Sequence, residues 1–261
     1  MRYLRLFARF VEFSVGRSLE FRLDFFFRVV MDLVYYLMNI AFFRILFLHT
    51  GSVGGWDVHQ TMIFVSGFCV IDAMYMTLFS NNLWWFPRYV NQGDLDYHLV
   101  RPVSSLFMLS VRDFATNSFI NLLLALGVLG WAVHQYPGEF GAGKIVLFLA
   151  FLVLGLLVQY LLRMTFIIPV FWTHSARGLD SFYYQMSHIV ERPDRIFRGW
   201  VRIVLSWVIP FSVIASVPAH LVLEAFRWNV FLHLLAVIAL YACVVGVLWR
   251  AGLRAYSSAS S

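Results

Sequence analysis

Six long apolar runs, separated by short polar stretches, organise this chain. They cover roughly residues 25–48, 60–80, 113–133, 145–168, 203–223 and 229–249. A helix rises about 1.5 Å per residue, so about 20 residues cross a hydrocarbon core about 30 Å thick. Inside lipid no water satisfies backbone N–H and C=O groups, which leaves helices or closed barrels as spanning structures. Barrel strands alternate apolar and polar positions over about ten residues, and these runs do not alternate. The pattern predicts an all-α integral membrane protein with six transmembrane helices.

Ahead of the first run the pattern becomes amphipathic. On a helical wheel Arg2, Arg5, Arg9, Glu12, Arg17 and Glu20 share one arc, while Tyr3, Leu4, Phe7, Phe10, Val11 and Ser14 fill most of the opposite face. A basic amphipathic helix with aromatic residues on its apolar side lies in the membrane interface. Residues 1–22 therefore read as an elbow helix bracing the first span, and residues 23–261 as a single transmembrane domain. Arg9 and Glu12 also interrupt any apolar core of a secretory signal.

Composition agrees with the pattern. The chain is 61% hydrophobic and 18% aromatic, and its 13% charged residues compare with about 25% in an average soluble domain. Six spans and their links leave no room for a second soluble domain. The net charge of +6 is almost wholly arginine, with Lys144 the only lysine. Basic residues collect on cytoplasmic loops. Arg88, Arg101 and Arg112 follow the second run, Arg177, Arg192, Arg195, Arg198 and Arg202 follow the fourth, and Arg250 and Arg254 follow the last. Arg44, Lys144 and Arg227 fall on the other side. Both termini are thus predicted to be cytoplasmic. Trp56, Trp131 and Trp228 mark outer boundaries; Trp84, Trp85, Trp200 and Trp249 mark inner ones.

The fifth run is the soft boundary. Residues 178–190 are amphipathic and able to dip into the membrane, and Pro210 or Pro218 would break the run into a re-entrant pair. A re-entrant pair, however, puts Arg192, Arg195, Arg198 and Arg202 on the charge-poor side. Residues 203–223 are therefore read as a full crossing.

Few residues suggest chemistry. Residues 138–145, GEFGAGKI, match a phosphate loop until the last position, where Ser or Thr is required. The histidines lack metal-ligand spacing, no nucleophile elbow is present, and Cys69 and Cys243 sit within apolar runs as small packing residues. Enzyme activity is not indicated. An ionised residue near the bilayer centre costs about 2.5–3.5 kcal/mol, which singles out Asp72, midway along the second run, and Asp32, four residues beyond Arg28. Asp72, Asp32 and Asn39 are candidates to line a pathway or to join helices; Asn117 and Asn121 are candidates for the second role only. Arg44 and Arg163 are placed to snorkel toward opposite interfaces.

The link between the second and third runs, residues 81–104, is longer than the 2–8 residues usual between packed helices. Gly93 breaks the chain, Asp94 is suited to cap a helix start, and Pro102 closes the segment. Between them Leu95 and Leu99 share one helical face. The segment reads as a short rigid knob shaped for a partner's cleft.

Residues 93–104, GDLDYHLVRPVS, resemble the G-x-[LI]-[DE]-x-x-L-x-x-P-x-S signature after the second span of ABC-2 type permeases. More narrowly, G-D-L-D-x-x-L-x-R-P-V is similar to a bacterial six-span subfamily of about this length. Phe171-Trp172 and the prolines at 210 and 218 match it too. The resemblance implies the transmembrane subunit of an ATP-binding-cassette exporter in the bacterial cytoplasmic (inner) membrane. Gly93, Asp94, Leu95, Asp96, Leu99, Arg101 and Pro102 would then couple to a separate ATPase subunit. That subunit would hold the ATP and Mg, none being bound by this chain. A second copy or a homologous permease would complete the pathway, with membrane lipid around it and no nucleic acid involved. Two alternatives stay open: an ATP-independent secondary transporter or channel, and a membrane scaffold or enzyme subunit.

Overall fold

The computed structural model describes residues 2–18, 22–175 and 177–257, so Glu20 and the side chains of Arg17 and Arg22 from the elbow reading lie outside the described residues. Helix α1 spans Arg2–Ser18 and α2 spans Arg22–Leu46. Helix α3 runs Val58–Gln92. A capping box starts it: the Gln60 N–H donates to the Asp57 carboxylate at 2.8 Å, and the Asp57 N–H donates to Gln60 Oε1 at 3.1 Å. Gly93, at φ 81°, ends it in the left-handed region that glycine tolerates. The first half of the 81–104 link is therefore helix, not loop. Short helices α4 (Asp96–Leu99) and α5 (Ser105–Val111) follow. Next come α6 (Thr116–His134), α7 (Ala142–Ile167), α8 (Val170–Thr173) and α9 (Arg177–Ser187). Helices α10 (Gly199–Val208), α11 (Phe211–Leu223) and α12 (Trp228–Ala255) complete the described chain. The protein is all-α, and α2, α3, α6, α7 with α8, and α12 are long and apolar enough to cross a membrane.

Helix α3 is the axis of the bundle. Its most apolar window is 72% buried inside the protein, against 11% for α2, which leaves α2 as a flank. Phe26, Met31, Leu37 and Met38 on α2 are exposed accordingly. Helix α3 packs on α6 and α7, while α7 packs on α11 and α12. At the crossing of α7 and α11 the backbone carbonyl of Ile214 sits where a Cβ on Gly155 would lie, so only glycine permits that approach.

The fifth predicted crossing, 203–223, does not form. Helices α10 and α11 meet at 92° across Ile209 and Pro210, and their outer ends are tied together. Arg202 pairs with Asp194 at 2.8 Å, and His220 Nε2 lies 2.6 Å from the same carboxylate. This is a hairpin that enters and leaves at one end of the bundle, the alternative set aside on charge grounds. Pro218 sits inside α11 and breaks nothing.

Residues 177–195 travel the length of the bundle instead. They start beside the 81–104 segment, where Asn91 donates to the His174 carbonyl at 2.8 Å. Asp180 pairs with Arg163 near the end of α7 at 2.9 Å. Midway, the Tyr35 hydroxyl donates to Glu191 at 2.8 Å. Arg192 then covers the Phe42 ring, and Pro193 and Arg195 pack on Gly54 in the turn between α2 and α3. Arg192, Arg195, Arg198, Arg202 and Trp200 thus belong to the end opposite the 81–104 link. Two of these four arginines are paired there: Glu224 neutralises Arg195 at 2.7 Å and Asp194 neutralises Arg202.

The charge asymmetry survives this correction. By position, Arg44, Lys144, Arg192, Arg195, Arg198, Arg202 and Arg227 lie at the far end, leaving twelve of the 20 basic residues at the knob end once buried Arg163 is set aside. Single cysteines replacing Arg198 and Tyr97, in a chain without Cys69 and Cys243, are expected to react with an impermeant maleimide from opposite faces of the membrane. Labelling of both from the same face would restore 203–223 as a crossing.

Candidate functional site

The knob is built on a rigid base. The π-turn Met76–Ser80 in α3 leaves a backbone carbonyl unpaired within the helix, and Thr77 offers its own to the Ala115 N–H at 3.0 Å. One turn on, Asn82 Nδ2 donates to the Asp113 carbonyl at 2.8 Å and Asn82 Oδ1 accepts from the Asp113 N–H at 2.7 Å. These bonds clip the end of the knob segment back onto α3. The sequence reading missed Asn82, since a lone asparagine near a span end carries no signal of its distant partner.

Within the knob Gly93 turns the chain and α4 occupies Asp96–Leu99. Asp94 does not cap it: Leu95 holds the N-cap position, with no side-chain cap bond. Of the two leucines expected to share a face, Leu99 is partly exposed. Leu95 is fully buried and His98 is buried against Tyr89, with ring centroids 5.3 Å apart. Burial, then Arg112 and Arg101, hold the His98 imidazole below its ordinary 6.5. Asp94 and Asp96 are partly buried, while Arg101 and Pro102 are exposed. The outward surface consists of Tyr97 (72% exposed), Val100 (82%) and the edge of Leu99.

Two neighbours hold the knob in place. Arg2 on α1 donates to the Pro102 carbonyl at 2.6 Å, and the Tyr3 ring packs edge-on against Phe107 at 4.9 Å. Tyr256, past the end of α12, faces Asp96 and Asp94; burial, then those carboxylates, pushes its hydroxyl up to about 12. The knob thus contacts α1 and the end of α12.

The polar residues inside the bundle fall into two groups, some joining helices and some bonded within their own helix. Asn121 on α6 donates to Asp32 on α2 at 2.7 Å, which joins two helices. The Tyr36 hydroxyl donates to Asp72 at 3.2 Å and joins α2 to α3. Asn39 donates to the Tyr35 carbonyl of its own helix, and Asn117 to Ser118 beside it. Arg163 does not snorkel: it is 1% exposed, stacked between Tyr183 and Tyr184 at 4.7 and 5.1 Å.

A second cluster closes the far end, also unforeseen. His220 bridges two carboxylates, with Nε2 on Asp194 at 2.6 Å and Nδ1 on Glu224 at 2.8 Å. The Trp56 indole donates to Glu224 at 3.2 Å. Burial pushes both carboxyls up, but bonds from His220, Arg202 and Arg195 outweigh it and hold Asp194 below 3.8 and Glu224 below 4.5. This cluster latches the α10–α11 hairpin to the α2–α3 turn.

A bundle of apolar helices around internal carboxylates, with five helices long and apolar enough to cross a bilayer and a braced knob at one end, has the build of a polytopic membrane protein. The profile of a family described as ABC-2 family transporter protein matches residues 33–260, and the chain belongs to that family. It is a membrane component of transport. No curated protein and no solved structure matches the chain.

Proposed function

We propose that this chain is the permease of an ABC-2 exporter, driven by a separate ATPase that seats on the knob. Two copies, or one copy with a homologous permease, form the pathway between them. The observation that carries this reading is the construction of residues 93–102. Buried Leu95 and His98 anchor the segment, while Tyr97 and Val100 project as a small apolar surface with nothing among the described residues over them. ATP and Mg belong to the partner. The excess of basic residues at the knob end supports a cytoplasmic knob with both termini inside, in a bacterial inner membrane.

Force entering at Tyr97 and Val100 has three routes inward: α3 through Gly93, α1 through Arg2, and α12 through Tyr256. Such a knob moves as a lever because its base is clipped by Asn82 and Asp113.

The test co-expresses this chain with a candidate ATP-binding-cassette ATPase from the same genome, chosen because the unaltered chain co-purifies with it and stimulates its hydrolysis. Tyr97→Asp with Val100→Asp is expected to abolish co-purification and to reduce permease-stimulated ATP hydrolysis at least about tenfold, since interface hot spots carry about 2 kcal/mol or more each. The melting temperature should not move, both positions being exposed. Intact assembly and stimulation in that variant would refute the docking surface, and uptake into vesicles without the ATPase would refute the exporter.

A further inference from the structure

A cavity of about 300 Å³ opens on the flank of the bundle between α2, α3, α7 and α9. That volume lies at the small end of small-molecule sites. Its polar lining is one-sided. Asp32, Asp72 and Glu191 converge on it, and the charged groups nearest Asp72 are the other two carboxylates. No arginine or lysine is among the lining residues. Arg28 lies one helical turn from Asp32, outside the lining, and Arg163 is engaged by Asp180 on the far side of the tyrosines. His188 meets Glu191 at 2.7 Å at the exposed rim.

Two further features point to a ligand. Gln159 lines the cavity, is 8% exposed, and its Oε1 has no hydrogen-bond partner among the described residues. A buried acceptor left unpaired costs free energy unless something bound supplies a donor or a positive charge. The other walls include the aromatic residues Phe68, Tyr35, Tyr75, Tyr183 and Tyr184, the last two also stacked on Arg163. Ring faces attract cations, more strongly when water is excluded. Carboxylates drawn together in a low-dielectric interior repel one another, and a cation between them relieves that repulsion.

We propose that this cavity binds a monovalent organic cation with an apolar body, and that such cations are cargo of the exporter. The apolar body fits the tyrosine and phenylalanine walls; the charge sits between Asp72, Asp32 and Glu191. The assignment of cargo rests on the exporter reading given above, whereas the binding itself does not.

The test titrates the full-length chain, purified in detergent without any ATPase, with tetraphenylphosphonium by calorimetry. Tetraphenylborate, of the same shape and opposite charge, is the control. Expected are saturable binding of the phosphonium and borate binding weaker by at least about tenfold, the scale set by losing a buried charge partner. Asp72→Asn is expected to weaken phosphonium binding by a similar factor, and Gln159→Glu to tighten it several-fold. If Asp72→Asn fails to fold, Glu191→Gln, near the exposed rim, and Gln159→Glu carry the comparison. Equal binding of the two ions, or phosphonium affinity unmoved by these variants, overturns the proposal. Phosphonium binding retained in the Tyr97→Asp, Val100→Asp variant separates the two readings, because coupling then fails while the site stands.

Discussion

Gly155→Val is expected to lower the melting temperature of the purified protein by about 6–12 °C, whereas Gly246→Ala is expected to leave it unchanged or raise it slightly. A Cβ at Gly155 meets the Ile214 carbonyl oxygen, and Ile71 crowds the same space. Backbone cannot rotate out of the way as the end of a side chain can, so α7 and α11 must separate. Overpacking of this kind costs about 3 kcal/mol, and each kcal/mol moves the midpoint of a chain this size by about 2–4 °C. Separation also displaces the α10–α11 hairpin, whose far end depends on His220 reaching both Asp194 and Glu224. Gly246 on α12 has nothing within 4 Å of such a Cβ. There alanine gains helix propensity of about 0.8–1 kcal/mol at no steric cost. Thermal denaturation of the two variants decides the matter, and equal losses would show that glycine content rather than this contact matters.

Asp180→Ala should destabilise the protein by about 3–5 kcal/mol, the range for removing one partner of a buried ion pair. Arg163 is 1% exposed and keeps its charge, while Asp180 retains some solvent contact at 24%. The arginine is therefore the costlier half to strand. Stacking on Tyr183 and Tyr184 offsets part of the loss. Replacing both partners by apolar residues, Arg163→Met with Asp180→Leu, should recover most of the stability, since no charge is then left buried. A double-mutant cycle followed by chemical denaturation measures the coupling. Additive effects of the two changes would mean that α9 is held to α7 by packing alone.

These two sites sit where reading along the chain stopped. The runs that became α2, α3, α6, α7 and α12 were legible because lipid imposes a length and an apolar character that any window detects. The run of residues 177–195 along the bundle was not legible. Its Asp180, Gln185, His188 and Glu191 look unsuited to a membrane, and Arg163 and Tyr35 are what make two of them tolerable there. Those partners lie in other helices, 17 residues away for Arg163 and 156 for Tyr35. The same blindness misplaced Arg195 and Arg202, whose charges Glu224 and Asp194 cancel.

The candidate site divides in the same manner. Gly93 and Pro102 marked the ends of the knob from backbone chemistry that needs no neighbours. Which side of the knob faces out depended on neighbours. Leu95 turned inward beneath Tyr89 and the residues packed with it, and Tyr97 and Val100 were left outside. Asn82 had no visible role until α6 brought Asp113 beside it.

By itself, the order of residues determined that this is a helical membrane protein, where most of its helices lie, and that a structured polar segment follows the second. Those are consequences of solvent and of local backbone preference, both of which act over a few turns. Only the tertiary structure decided which further segment runs the length of the bundle, which run folds back as a hairpin, and which carboxylates share a cavity. Those outcomes depend on whether a charge finds its partner across the bundle, and a partner's distance in space is not written in its distance along the chain.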